Sequence, residues 1–313
     1  MKLSASSSAI AVRRHRHRGR LVFLMAAAAL VAPSLGAAQT ETPGEPVLIP
    51  GTTIPGWGQV DTVPGRFGRP AGATAPKGPA VLILHGSGGV DGRGAFYATA
   101  LQAAGIATLE ITMFPPNDWP SAGQKATMPH AAAALRWLAA QPTVDGQRLG
   151  VLGFSWGGIM TVYLASELVQ ERLGQDVPAP AAFAPMYPCC TRLAYKAAIP
   201  NYPDPYYNVP TRMRAVPILI QVGTRDDYEL YEELGDRPCD ALIATWPPAV
   251  RELTTVRYIE GATHGFDGPV AKRFRDNAAR ANRGGMVNVV PSPKDAAEAR
   301  QAVVSFFGKH LKP

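Results

Sequence analysis

The chain has 313 residues, of which 46% are hydrophobic and 18% are charged, and its formal net charge is +7. Its 31 glycines and 30 prolines stay below the roughly 25–30% that marks low-complexity chains, which excludes a disordered, collagen-like or coiled-coil protein. The length fits one large domain or two small ones, with enough residues to bury a hydrophobic core.

The N-terminal segment, residues 1–38, carries much of the positive charge. It contains six basic residues and no Asp or Glu, and an apolar run from Leu21 to Pro33 precedes the small residues Gly36, Ala37 and Ala38. This order is typical of a secretory signal peptide, and the run is shorter than the roughly 20 residues of a membrane helix. We predict cleavage after Ala38, export to the periplasm or the medium, and no stable membrane insertion afterwards. An uncleaved anchor is the alternative.

Removal of residues 1–38 takes away six of the 31 basic residues. The remaining basic residues nearly balance the 24 acidic residues, so the remaining chain is close to neutral. A nucleic-acid partner, which needs a clustered basic surface, is therefore not expected. The odd cysteine count of an exported chain (Cys189, Cys190 and Cys239) indicates one disulfide and one spare thiol. The histidines and cysteines lack metal-ligand spacing, so we expect no metal. We expect no organic cofactor either.

The elements follow a regular order along the chain. Residues 39–78 are rich in Pro, Gly and Thr and are predicted to form an irregular lead-in with one or two strands. From residue 79, apolar runs alternate with helical patterns. Strands are predicted at 80–84, 106–111, 148–154, 181–184, 216–222 and 255–258, and helices at 95–104, 129–140, 158–169, 239–245 and 296–311.

This alternation predicts an α/β domain over residues 79–313, with a mostly parallel sheet covered by helices on both faces. The run at 80–84 is continuously apolar, as in a strand that is buried on both faces. The interval between the strands near 184 and 216 leaves room for a loop or short helices. It does not leave room for a large cap domain.

The strongest local motif is Gly-Phe-Ser-Trp-Gly-Gly at residues 153–158, between a predicted strand and a predicted helix. A serine on a sharp strand-to-helix turn projects its hydroxyl above the sheet, and the strained turn requires very small residues two positions before and after it. Gly153 and Gly157 meet this requirement, so Ser155 is the predicted nucleophile. An ordinary glycine-rich turn is the alternative.

A second glycine-rich loop, His-Gly-Ser-Gly-Gly at residues 85–89, follows the first apolar strand. Acyl transfer places negative charge on the carbonyl oxygen, and preorganised N–H groups stabilise that charge. In this architecture one donor is the amide after the nucleophile, here Trp156, and the other comes from an earlier loop. We predict Ser87 as the second donor, with Gly88 as the alternative. A phosphate-binding loop is excluded because the Lys-Ser/Thr ending is missing.

A serine nucleophile needs a base that is oriented by an acid, in the chain order nucleophile, acid, histidine. Only His264 and His310 follow Ser155, and His264 is preferred because glycines flank it in a loop after a predicted strand. The acid should follow the strand at 216–222, where Asp226 and Asp227 are adjacent. We prefer Asp226, and Asp227 is the alternative or a helix cap.

His85 and His130 precede Ser155 and cannot be the base if this order holds. We expect His85 to orient the oxyanion loop and His130 to be a surface or capping residue.

Taken together, these motifs resemble the dienelactone hydrolase family of the α/β-hydrolase superfamily. The resemblance runs from about residue 79 to residue 307 and is carried by residues 85–89, 135–138, 150–158, 222–227 and 261–267. It implies the α/β-hydrolase fold, with an eight-stranded, mostly parallel sheet and a site at the carboxyl ends of the strands. It also implies a hydrolase that acts on a small-molecule ester.

The chain departs from dienelactone hydrolase proper, which uses a cysteine nucleophile controlled by a glutamate. Ser155 replaces that cysteine, and the first loop offers Gly86 and Ser87, so the sequence looks more like the serine-type exported relatives, which are broadly carboxylic ester hydrolases. Their Tyr-Pro-x-Cys segment and later cysteine imply a Cys190–Cys239 disulfide, with Cys189 as the alternative partner.

Two other classes of function remain as alternatives. One is a peptidase, amidase, lactonase or thioesterase on the same triad, and the other is a non-catalytic binding protein of this fold. Retention of a complete triad argues against the second alternative. Five tyrosines between residues 187 and 207, with Trp119 and Trp156, are candidates for an aromatic substrate pocket or for the packing of a proline-rich loop.

Overall fold

The computed structural model describes residues 41–70, 77–198 and 212–312. The predicted signal peptide, Tyr202, Tyr206 and Tyr207 lie outside these ranges. Within these ranges, no helix has both the length and the apolar character needed to cross a membrane.

The centre of the described chain is an eight-stranded sheet with the order β1-β2-β4-β3-β5-β6-β7-β8. Its strands are β1 (Glu45–Ile54), β2 (Gly58–Gly68), β3 (Gly78–Leu84), β4 (Ala107–Ile111), β5 (Val144–Phe154), β6 (Ala182–Met186), β7 (Ile218–Arg225) and β8 (Thr254–Thr263). Strands β3 to β8 pair in parallel, whereas β1 and β2 join the edge next to β4 as an antiparallel hairpin. The predicted mostly parallel, eight-stranded α/β fold is confirmed.

Helices occupy most of the connections between the parallel strands, and two more follow the last of these strands. They are α1 (Arg93–Ala103), α2 (Met128–Ala139) after a 3₁₀ turn (Gly123–Thr127), α3 (Trp156–Leu164), α4 (Glu167–Leu173), α5 (Cys190–Ala197), α6 (Tyr231–Leu234), α7 (Pro238–Ala244), α8 (Pro248–Glu252), α9 (Ala279–Asn282) and α10 (Pro293–His310). The prediction of one helix over 158–169 is wrong in its bounds, because α3 begins at Trp156 and ends before Ser166.

Two glycines of β5 show that helices cover both faces of the sheet. A Cβ atom on Gly150 would lie 2.5 Å from the Phe307 ring of α10, whereas one on Gly153 would lie 2.3 Å from Thr161 Oγ1 of α3. Positions 150 and 153 are an odd number of residues apart and therefore point to opposite faces of the strand. Helices α10 and α3 thus enclose the middle of the sheet from its two sides.

Residues 39–78 contain two strands, within the one or two that were expected, but the prediction that this segment is otherwise irregular is wrong, because β1 and β2 are long, regular strands of the main sheet. The sheet therefore begins at Glu45 and not near residue 79. Ile49 and Val63 face each other in this hairpin and are fully buried, and the Phe67 ring packs edge-on against Trp137, with 5.3 Å between the ring centroids. These tertiary contacts override the weak strand preference of the Pro and Gly residues.

A second, two-stranded sheet consists of β9 (Lys272–Asp276) and β10 (Gly285–Val289), inserted between β8 and α10. The sequence analysis did not predict it, because its strand Lys-Arg-Phe-Arg-Asp has mostly charged and exposed residues. The interval between β6 and β7 contains α5, and residues 199–211 of that interval lie outside the described ranges.

Candidate active site

Ser155 lies on the tight turn between β5 and α3. Its backbone has φ 50° and ψ −106°, a conformation that non-glycine residues rarely adopt and that costs of the order of 1–3 kcal/mol. A Cβ atom on Gly153 would lie 2.1 Å from the Gly157 carbonyl oxygen, and one on Gly157 would lie 2.2 Å from the Leu84 carbonyl oxygen. Only glycine fits at either position, so the motif is required by close backbone approach around the turn.

Three side chains from the carboxyl ends of β5, β7 and β8 meet above the sheet. His264 Nε2 lies 2.8 Å from Ser155 Oγ, and His264 Nδ1 lies 2.8 Å from Asp226 Oδ2. Asp226 is completely buried and His264 is 6% exposed, so the imidazole links a buried carboxylate to a hydroxyl at the surface of the site. This serine–histidine–aspartate chain has the geometry of an activated acyl-transfer nucleophile.

The two adjacent aspartates have different hydrogen-bond partners. Asp226 uses Oδ2 for His264 and accepts the Tyr228 amide on Oδ1 at 2.9 Å. Asp227 instead accepts the backbone and side-chain N–H groups of Asn288, at 2.7 and 3.0 Å. Asp227 therefore fixes strand β10 and does not contact the histidine.

Two tyrosine rings enclose the imidazole of His264. Tyr228 lies on one side with 4.4 Å between the ring centroids, and Tyr187 lies edge-on at 4.8 Å. Because the ring also has hydrogen-bond partners at both nitrogens, its position and its tautomer are both restricted.

The predicted oxyanion donors come from the start of α3 and from the loop after β3. The Trp156 amide is the first of α3 and has no carbonyl partner within its helix. A Cβ atom on Gly86 would lie 3.5 Å from Ser155 Cβ, which places the loop that carries Ser87 directly beside the nucleophile. Ser87 itself is half-buried, and its carbonyl accepts the Asn117 amide at 3.1 Å. The roles of Trp156 and Ser87 as donors stay predictions.

His85 supports this loop as a neutral residue. Its Nε2 accepts the Met113 amide at 2.9 Å, which leaves the proton on Nδ1 to be donated to the Gly86 carbonyl at 2.7 Å. Burial lowers the pKa of His85 to about 4. Protonation would turn Nε2 into a donor facing the Met113 N–H, so it would break the contact that orients the loop.

A consequence for stability is that the unfolded chain binds a proton at residue 85 before the folded chain does. Between the ordinary histidine pKa of 6.5 and the folded value near 4, His85 therefore makes folding less favourable as the pH falls, by about 3 kcal/mol in all. Urea unfolding of the wild type and of His85→Gln at pH 7 and pH 4 tests this prediction. We expect the wild type to lose about 3 kcal/mol more than the variant over this interval.

The difference between the two proteins is the measured quantity because buried carboxyl groups act in the opposite direction. Burial raises the pKa of Glu110 to about 7 and also raises that of Glu229, so both favour folding as the pH falls. Both groups are present in wild type and variant alike. Identical losses of stability in the two proteins would contradict the assignment of a neutral, buried His85.

Cys190 and Cys239 form a disulfide, and Cys189 is a buried free thiol. The bond joins α5 to α7 across 49 positions of sequence, a span for which the loop-entropy model gives about 4 kcal/mol of stabilisation. Between these helices, the Glu229 carboxylate accepts the amides of Cys190 and Thr191 at 2.6 and 2.7 Å. The Glu229 amide in turn donates to the Asp226 carbonyl at 3.0 Å, so the disulfide region directly supports the acid loop.

Several candidates from the sequence lie away from the reacting groups. His310 lies on α10, where its ring packs against Phe306 at 4.9 Å. His130 is more buried than expected of a surface residue, and burial lowers its pKa to about 4. Trp119 is 45% exposed and Tyr195 contacts Glu233. Tyr187 is fully buried, which excludes it from the wall of an open aromatic pocket.

The sequence analysis missed a buried polar cluster beside His264. Arg93 and Tyr97 of α1, Tyr187 after β6 and Asp267 in the His264 loop are joined by hydrogen bonds of 2.7–2.9 Å. The only sequence signal was an Asp-Gly-Arg segment at residues 91–93, one residue after the glycine-rich loop, and it does not indicate the distant partners of Arg93.

Comparison with known proteins identifies the family of the chain. The sequence model of the dienelactone hydrolase family matches residues 111–311. An ethyl acetate hydrolase of Pseudomonas putida is 30% identical over 204 residues, which are 62% of this chain and only 57% of that relative.

Two similar solved structures support the fold. Esterase 2 of Thermogutta terrifontis, solved phosphorylated by paraoxon, is 17% identical with a TM-score of 0.60, over 87% of this chain and 97% of the other. Dienelactone hydrolase of Anabaena variabilis is 16% identical with a TM-score of 0.51, over 85% and 99% of the two chains.

Proposed function

The chain belongs to the dienelactone hydrolase family, and we propose that it is a serine hydrolase that cleaves carboxylic esters through an acyl-enzyme intermediate. The observation that carries this proposal is the continuous hydrogen-bonded chain from Ser155 through His264 to Asp226, with both bonds at 2.8 Å. The chain starts at a serine held in a strained conformation above the sheet.

In the first half of the proposed reaction, Ser155 Oγ attacks the ester carbonyl while its proton moves to His264 Nε2. Asp226 holds the proton on Nδ1 and stabilises the imidazolium that forms. The negative carbonyl oxygen accepts hydrogen bonds from the amides of Trp156 and Ser87. His264 then gives the proton to the leaving alcohol, and the acyl group remains on Ser155.

In the second half, water replaces the alcohol. His264 Nε2 takes a proton from the water as its oxygen attacks the acyl carbon, and the same two amides receive the oxyanion again. The bond to Ser155 Oγ breaks, His264 returns the proton to that oxygen, and the carboxylic acid leaves. Among the described residues, His264 supplies the proton acceptor and donor that each of these reaction steps requires.

The proposed substrates are small-molecule carboxylic esters. Support comes from the names of the relatives, an ethyl acetate hydrolase and an esterase. Amides, lactones and thioesters are the alternatives on the same triad.

The test is a comparison of p-nitrophenyl acetate and butyrate with the matching p-nitroanilides, together with peptide mapping of a fluorophosphonate label. We expect ester hydrolysis, much slower amide hydrolysis and a label on Ser155. Faster turnover of the anilides would favour an amidase. The absence of both turnover and label would overturn the proposal.

We also propose that the protein is exported. The support is the basic, apolar and small-residue order of residues 1–38, together with a disulfide, which persists in oxidising compartments. The mass of the mature chain tests this proposal, because cleavage after Ala38 leaves Gln39 as the first residue. Recovery of a chain that still begins at Met1 from the periplasm or the medium would contradict cleavage.

A further inference from the structure

The guanidinium of Arg93 lies between the two loops that carry the proposed oxyanion donor and the base. A Cβ atom on Gly86, in the oxyanion loop, would lie 3.4 Å from Arg93 Nη2. One on Gly265, next to His264, would lie 3.3 Å from Arg93 Nη1. The absence of a side chain at both positions lets one planar group contact both loops.

Hydrogen bonds fix this guanidinium in one orientation. The Asp91 carboxylate accepts hydrogen bonds from Arg93 Nε and Nη2, at 3.0 and 2.6 Å. Arg93 Nη1 donates to the Tyr187 hydroxyl at 2.9 Å. Only 12% of the Arg93 side chain is exposed. A buried, forked contact of this kind restricts direction as well as distance, which a single point charge does not.

From Tyr187 the chain of contacts continues to the base. The Tyr187 hydroxyl donates to Asp267 Oδ1 at 2.7 Å, and Tyr97 donates to Asp267 Oδ2 at 2.8 Å. Asp267 lies three residues after His264 in the same loop, and the Tyr187 ring packs edge-on against the His264 imidazole. Thus Tyr187 contacts the proposed base directly and the oxyanion loop through Arg93.

The buried charges of Arg93 and Asp267 favour one arrangement of hydrogen bonds in this cluster. Burial raises the pKa of Asp267, while Arg93 and the two tyrosine hydroxyls lower it. Each of these groups would lose its partner in a low-dielectric environment if the cluster opened, which is costly. The cluster therefore favours a single arrangement of the two loops.

We propose that Arg93, Tyr187 and Asp267 act as a positioning bridge that holds the oxyanion loop and the His264 loop at the separation needed for acyl transfer. The inference rests on the proposed esterase function of the same site. The bridge contacts the His264 ring through Tyr187 and acts by holding the reacting groups in place, so we expect it to change the rate of the chemical steps and not substrate affinity.

Tyr187→Phe tests the bridge most directly, because it removes the hydroxyl and keeps the ring against His264. We expect kcat for p-nitrophenyl butyrate to fall about 10- to 100-fold, as for small misplacements of catalytic groups, with KM nearly unchanged. Arg93→Lys keeps the charge and loses the fork, and we expect a similar fall. Tyr163→Phe is the matched control, since Tyr163 is a fully buried tyrosine of α3 outside the bridge.

Three results would overturn the proposal. They are wild-type kcat in folded Tyr187→Phe, full activity in Arg93→Lys, and an equal loss in Tyr163→Phe. The first result would show that the hydroxyl is dispensable, and the second that charge alone is sufficient. The third would show a general effect of losing a buried hydroxyl.

A second measurement does not depend on turnover. The His264 Nδ1 proton, which is bonded to Asp226, is observable by NMR, and we expect faster solvent exchange of this proton in Tyr187→Phe than in the wild type or in Tyr163→Phe. Unchanged exchange would contradict the bridge. If the wild type hydrolyses no ester, the esterase proposal fails, and the NMR comparison still decides whether the bridge restrains His264.

Discussion

Replacement of Ser155 with alanine is expected to lower kcat for ester hydrolysis by about 10⁶-fold, the size of loss seen when the nucleophile of a catalytic triad is removed. The physical reason is that His264 has no hydroxyl left to activate, so no acyl-enzyme can form. A small residual rate above that of water is expected because the oxyanion donors and the binding site remain.

The comparison includes His264→Ala and the double variant. The serine and the histidine act as one unit, with 2.8 Å between Oγ and Nε2, so removal of both should cost little more than removal of either one. Additive losses would show that the two residues act in separate steps.

The matched control is Ser166→Ala, which removes a buried hydroxyl that has no hydrogen-bond partner among the described residues, and its steady-state kinetics should stay close to those of the wild type. Ester turnover by Ser155→Ala at the wild-type rate would remove Ser155 as the nucleophile.

The second large effect is expected at the acid. Asp226→Asn should lower kcat by about 10⁴-fold, because an amide in place of the carboxylate favours the wrong histidine tautomer and cannot stabilise the imidazolium. The fold should be retained, since the Asn oxygen can still accept the Tyr228 amide that Asp226 Oδ1 accepts at 2.9 Å.

The adjacent residue supplies a control of identical chemistry. Asp227→Asn changes a carboxylate that binds Asn288 of β10 and makes no contact with His264, so kcat should stay within a few-fold of the wild type. Steady-state kinetics of both variants, with thermal unfolding to confirm folding, separate the two aspartates. A larger loss in Asp227→Asn would reverse the assignment of the acid.

The reading of the family from sequence succeeded because its signals are local and ordered. Tight turns need glycine at fixed offsets, as at Gly153 and Gly157, and parallel strands buried on both faces need continuous apolar runs, as at 80–84. The carboxyl ends of parallel strands meet at one edge of the sheet, so the chain order of Ser155, an aspartate and His264 was enough to predict that they lie close together.

The same reasoning failed where a residue's environment comes from distant chain segments. Sequence reasoning predicts an irregular lead-in with one or two strands here and misses the extent of the β1–β2 hairpin, because its Pro and Gly residues hide the pairing of Ile49 with Val63. The β9–β10 sheet was missed because its strands lack an apolar period. Both are held by contacts with the main body of the fold, which local propensity does not contain.

The sequence by itself determined the fold class, placed Ser155 and His264 in the candidate triad and limited the acid to two adjacent aspartates, because each of these follows from short-range sterics and from the order of the strands. The same motifs carry the resemblance to the family. Only the tertiary structure separated Asp226 from Asp227, since their hydrogen bonds go to His264 and to Asn288, which lie far along the chain. Only the tertiary structure joined Arg93 to Tyr187 and Asp267. Hydrogen bonds between side chains distant in sequence depend on how the helices and loops pack over the sheet, and no periodicity in the chain records that packing.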